Sequence, residues 1–114
     1  MKHTVSFKHA WDGVVWAFKT QPNFRVHTFI ALIVIFTGLY CSISMFEWLI
    51  VIFTIMMGLV IEMINTAIES TNDAITRDIK PEIKIAKDVS AAAMLIYACG
   101  ASIVGLLIFL PKLI

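Results

Sequence analysis

Three stretches of this chain carry no charged side chain: residues 28–46, 48–61 and 89–111. A helix needs about 20 mostly apolar residues to cross the hydrocarbon core of a bilayer. The first and third stretches meet that length directly, and the second meets it by continuing through Glu62 toward Ile68. Hydrocarbon cannot satisfy exposed backbone groups, so each stretch is expected to be helical. The predicted spans cover residues 24–46, 48–72 and 86–110. The segment before them has a different pattern. Phe7, Trp11, Val14 with Val15, and Phe18 recur at helical spacing, while Lys8, Asp12 and Lys19 fall elsewhere. Aromatic residues opposite lysine predict a helix over residues 5–20 lying in the membrane interface. Gln21-Pro22-Asn23 then interrupts it, because Pro22 disfavours a helical Gln21, and Asn23 is the expected cap of the first span. The pattern therefore predicts an all-α membrane protein, with an N-terminal amphipathic helix and three transmembrane helices in one domain over residues 1–114.

Composition strengthens this picture. Hydrophobic residues make up 60% of the 114 and charged residues 15%, against about 45–50% and about 25% in soluble domains. A chain this short has too little interior to hide that many apolar side chains from water. The net charge of +1 gives no reason to expect a nucleic-acid partner. Its distribution is more telling. Lys2, Lys8, Lys19 and Arg25 precede the first span, and Arg77, Lys80, Lys84 and Lys87 lie between the second and third. Only Glu47 separates the first two spans. Three crossings place both basic segments on one side, which the positive-inside rule makes cytoplasmic, with Lys112 and the C-terminus outside. The N-terminus lacks the compact apolar region and small-residue cleavage site of a signal peptide, so the chain is expected to stay whole in the membrane. Cys41 and Cys99 are expected to pack rather than to form a disulfide or a metal site. Small residues in the third span, among them Ser90, Ala91, Ala92, Gly100 and Gly105, suit close helix approach in lipid.

The candidate chemistry lies at the end of the second span. Glu62, Asn65, Glu69 and Asp73 are spaced by three, four and four residues, which puts all four on one helix face. Acids within a membrane segment are costly and mark function. Three carboxylates in a row need positive charge beside them, either from a hard divalent cation held by oxygen ligands or from Arg77, Lys84 and Lys87 in the next loop. A metal site beside lysines is what phosphoryl transfer requires, since that chemistry depends on positioning and charge neutralisation. Spacing alone leaves phosphate handling and proton handling both open, alongside a purely structural salt-bridged helix end. No glycine-rich phosphate loop is present, and His3, His9 and His27 are too dispersed for a zinc site by spacing.

The run Glu62-Met63-Ile64-Asn65-Thr66-Ala67-Ile68-Glu69 with Asp73, followed by Ala86-Lys87-Asp88 and Ala91-Ala92, resembles the prokaryotic diacylglycerol kinase / undecaprenol kinase family. The resemblance covers nearly the whole chain. Phe7 to Ala10, Gly13, Asn23-Phe24-Arg25 and His27 also fit, and Asn23-Phe24 with His27 looks more like the undecaprenol kinase branch. It implies a homotrimer in the bacterial cell membrane that transfers the γ-phosphate of ATP, with Mg2+, to a lipid alcohol. Undecaprenol is the favoured acceptor and diacylglycerol the alternative. By the same resemblance Glu62 is the general base for the lipid hydroxyl, Asn65 and Lys87 contact the transferring phosphate, Glu69 holds the metal and Asp88 helps seat the nucleotide. His9, Lys80 and Asp73 fall at positions near the nucleotide or its phosphates. The family usually carries Glu where this chain has Gln21, which would share the metal with Glu69; Gln21 offers a carbonyl oxygen without the charge. Two other readings compete: a small proton-coupled transporter using Glu62 or Glu69, and a non-catalytic membrane scaffold.

Overall fold

A computed structural model describes residues 6–114. Four helices follow in order: α1 (Phe7–Thr20), α2 (Pro22–Cys41), α3 (Met45–Ile75) and α4 (Pro81–Leu113). The last three are each long and apolar enough to cross a membrane. Position 5, in the amphipathic helix expected from sequence, lies outside the described residues.

Ser6 caps α1 by accepting from the His9 backbone N–H. Ala17 is buried, while Phe7, Trp11 and Phe18 stand exposed, as an interfacial helix requires of the side it turns to lipid. Arg25, counted in the sequence only as a positive charge, also ties α1 to α2. Its guanidinium donates to the backbone oxygens of Phe18 and Lys19, two of the carbonyls that the end of α1 leaves without helical partners. Phe18 and Phe24 meet edge to face, with ring centroids 6.5 Å apart.

The start of α2 differs from expectation. Asn23 does not cap it; Gln21 occupies the cap position and Pro22 opens the helix. Proline suits that position because its fixed φ is already helical and it lacks an N–H that would otherwise go unpaired there. The turn into α3 also comes earlier than the charge pattern suggests. Ser42 adopts the left-handed conformation, with φ 49°, and closes α2. Ser44 and Glu47 then form a capping box at the start of α3: Glu47 N donates to Ser44 Oγ at 3.1 Å and Ser44 N to Glu47 Oε1 at 3.0 Å. Glu47 therefore lies inside the first turn of α3, where Lys112 of α4 pairs with it at 3.3 Å.

Packing is closest between α3 and α4. Two glycines allow side chains to approach the backbone. The Trp48 ring lies over Gly38, and the Tyr97 ring lies over Gly58 with its hydroxyl donating to Thr54 O at 2.6 Å. The buried residues divide by end. Ile43, Val51 and Ile108 form an apolar cluster near the α2–α3 turn. Glu62, Asn65, Thr66, Asn72 and Ser90 are the buried polar residues, farther along α3 and at the start of α4. At about 1.5 Å per residue, the apolar run from Met45 to Glu62 rises about 26 Å. That is close to the hydrocarbon thickness of about 30 Å, so a span entering the membrane at Met45 would bring Glu62 to the far boundary, with Glu69 and Asp73 beyond it.

Candidate functional site

The polar stripe predicted on α3 forms, and α2 and α4 supply its partners. Glu62 is 4% exposed. The His27 imidazole of α2 faces it, with Nε2 3.8 Å from Glu62 Oε2. One turn on, buried Asn65 accepts a short hydrogen bond from Ser90 Oγ of α4 and donates through Nδ2 to Glu69 Oε1 at 3.5 Å. Farther along, Lys87 Nζ of α4 donates to Asp73 Oδ1 at 3.0 Å. The sequence-predicted residues Glu62, Asn65, Glu69, Asp73 and Lys87 thus line one seam between α3 and its neighbours.

A polar cavity borders this seam, and an apolar one adjoins His27. The polar one, of about 410 Å³, is lined by Gln21, Thr66, Glu69, Asp73 and Arg77, with Trp16 at its side. It brings the Gln21 amide from the α1–α2 junction to the same space as the Glu69 and Asp73 carboxylates. Gln21 Nε2 donates to Thr20 Oγ1 at 3.2 Å, which leaves its carbonyl oxygen as the donor atom for a cation. Carboxylate and carbonyl oxygens are the ligands a hard divalent cation takes, with phosphate and water oxygens completing its shell. No cluster of three or more His, Cys, Asp or Glu poised to hold a metal occurs among the described residues. The second cavity, about 320 Å³, lies among α2, α3 and α4 and is lined chiefly by apolar side chains such as Val34, Ile55 and Phe109, with His27 also in its wall.

Of the nine predicted site residues only Gln21, Glu69 and Asp73 line a cavity; Glu62, Asn65 and Lys87 stay in the seam, and three others stand apart from both. Asp88 is exposed and pairs with Lys84 one turn back, at 2.5 Å. Lys80 is exposed at the cap of α4. His9 is exposed on α1, where its backbone N–H serves the Ser6 cap. The sequence reading passed over other participants. Ser90 stood out only as a small residue for packing, and His27 only as a mark of resemblance. An ionisable side chain at the edge of a span was the available signal for His27. Both cysteines are free thiols.

Three membrane-length helices, with a carboxylate seam on one of them beside a polar cavity, define a multi-pass membrane protein. Residues 8–109 match the family described as prokaryotic diacylglycerol kinase, and the chain belongs to that family of lipid kinases. It is 42% identical to the undecaprenol kinase of Bacillus subtilis over 95% of this chain and 88% of that protein. Identity is 40% to a diacylglycerol kinase of Synechocystis, over 96% of this chain and 63% of that longer protein. A diacylglycerol kinase of Haemophilus influenzae is 29% identical over 91% of this chain and 90% of its own length.

Proposed function

We propose that this lipid kinase transfers the γ-phosphate of ATP to the hydroxyl of undecaprenol, on the cytoplasmic side of the cell membrane. The observation that carries the reading is the position of Glu62, a buried carboxylate in the polar seam that faces His27, a residue of the apolar cavity wall. A lipid alcohol cannot reach a soluble active site without leaving the bilayer. A base at this depth meets its hydroxyl while the nucleotide stays in water.

In this reading Glu62 accepts the hydroxyl proton as the lipid oxygen attacks the γ-phosphorus and ADP departs. Asn65, held by Ser90, and Lys87, held by Asp73, contact the transferring phosphoryl group and offset its charge. Mg2+ accompanying ATP would be held by Glu69 with the Gln21 carbonyl, and would supply charge neutralisation on the phosphates. Asp73, Arg77, Asp88, Lys80 and His9 belong to the nucleotide side. The last three stand apart from the seam within one chain. That supports an assembly of copies, for which the family resemblance suggests a homotrimer. Orientation follows the basic segments, with the N-terminus and the α3–α4 loop cytoplasmic.

Undecaprenol is favoured by the match to the Bacillus enzyme over most of both chains. The Synechocystis relative keeps diacylglycerol as the second reading. The test is phosphate transfer by purified protein in mixed micelles, with both alcohols offered in parallel. Faster transfer to undecaprenol is expected, and preferential transfer to diacylglycerol would reverse the assignment while keeping the chemistry. Transfer to neither, with folded protein and ample Mg2+, would favour the scaffold reading.

A further inference from the structure

The apolar cavity, which His27 separates from Glu62, has an uneven supply of hydrogen-bond donors. Thr54, Tyr97 and Ser102 lie in its wall, and each already donates its hydroxyl hydrogen to a backbone carbonyl: Thr54 to Ile50 at 2.8 Å, Tyr97 to Thr54 at 2.6 Å and Ser102 to Ala98 at 2.7 Å. His27 is different. Among the described residues its imidazole makes no hydrogen bond, yet it borders the cavity on one side and faces Glu62 on the other.

The separation of the two groups is informative. At 3.8 Å, His27 Nε2 and Glu62 Oε2 are too far apart for a direct hydrogen bond. They are close enough for one hydroxyl oxygen to sit about 2.8 Å from each. Such a hydroxyl would accept from the Nε2–H of His27 and donate its own hydrogen to Glu62. The carbon chain bearing it would extend into the apolar cavity, where a wall of aliphatic side chains replaces lipid at no polar cost.

We propose that His27 positions the acceptor: it holds the hydroxyl oxygen of a long-chain alcohol against Glu62, with the adjoining apolar segment in the cavity among α2, α3 and α4. This rests on the lipid-kinase reading for its chemistry. The oxygen–phosphorus bond forms, the bond from the γ-phosphorus to the bridging oxygen breaks, that electron pair leaves with ADP, and the hydroxyl proton passes to Glu62. His27 neither gains nor loses a proton in the step. Its contribution is to fix a lone pair of the hydroxyl oxygen so that the other faces the nucleotide.

Two measurements test it together. The first needs no nucleotide. In 15N-histidine-labelled protein in micelles, with His27 identified by its loss in His27→Gln, farnesol should shift the imidazole nitrogen resonances of His27, and the matching hydrocarbon without the hydroxyl should not. Equal shifts with both, or none with either, would overturn the proposal. The second is kinetic. His27→Ala should lower kcat/KM for the lipid alcohol by about 10- to 100-fold, the range for losing one hydrogen bond to a polar partner, and leave KM for ATP unchanged. His27→Gln keeps an N–H donor and should recover part of that loss. An unchanged kcat/KM in His27→Ala refutes the positioning role while the kinase reading stands. A hydroxyl-dependent shift in a protein that transfers no phosphate would support the alcohol site and refute the kinase reading.

Discussion

Lys87 and Asp73 are fourteen residues apart in sequence, and the α3–α4 turn brings Lys87 Nζ to 3.0 Å from Asp73 Oδ1. Their side chains are 42% and 35% exposed. An ion pair this open to solvent contributes little to stability, which is a weak reason to hold a lysine beside Asp73. Its position at the rim of the seam suits a phosphate better. Lys87→Ala is therefore expected to cut phosphate transfer by about 10²–10³-fold, as loss of one charge-stabilising donor does, with little change in the thermal midpoint. Parallel transfer assays and thermal melts check this. A large fall in the midpoint with activity kept would make Lys87 a structural residue.

Gln21 and Glu69 share the polar cavity, but only Glu69 brings charge. Gln21→Glu should lower the Mg2+ concentration needed for half-maximal rate by about tenfold or more, because ligand charge tunes hard-cation affinity over decades. The Mg2+ dependence of the transfer rate is the measurement. An unchanged dependence would remove Gln21 from the metal's surroundings.

Gly58 lies under the Tyr97 ring, and a Cβ there would overlap it. Tyr97 is not free to swing away without breaking its bond to Thr54 O. Gly58→Ala should therefore destabilise the bundle by about 1–3 kcal/mol, the usual cost of overpacking. Adding Tyr97→Ala removes the overlap, so the double variant should lose less than the sum of the single changes. Chemical unfolding of the four proteins in a mild detergent measures this. Strict additivity would show that the ring moves aside at no cost.

Much of the architecture was legible because hydrocarbon imposes simple rules. A long uncharged run must be helix, so α2, α3 and α4 could be read directly from residues without charge. The spacing of Glu62, Asn65, Glu69 and Asp73 likewise settled which face of α3 carries polar groups. Boundaries were less legible, since they depend on local geometry. The left-handed Ser42 and the Ser44–Glu47 capping box end one helix and start the next within a stretch that reads as continuous apolar sequence. Partnerships across helices were least legible. Nothing in the sequence neighbourhood of Ser90 indicates that it donates to Asn65, twenty-five residues away, or that His27 faces Glu62. Such pairings depend on how the helices rotate about their axes, which periodicity does not report.

In the proposed reaction everything turns on Glu62 removing the proton from the lipid hydroxyl. The most direct measurement is the rate of γ-phosphate transfer from ATP to undecaprenol by Glu62→Gln beside the unaltered protein, both in mixed micelles, with helical content and oligomeric state checked on the same samples. Glutamine keeps the shape and polarity of the side chain but cannot act as the base. Transfer should fall by at least about 10²–10⁴-fold, the range for removing a general base, in a protein that remains folded and assembled. Near-normal transfer by Glu62→Gln would contradict that role.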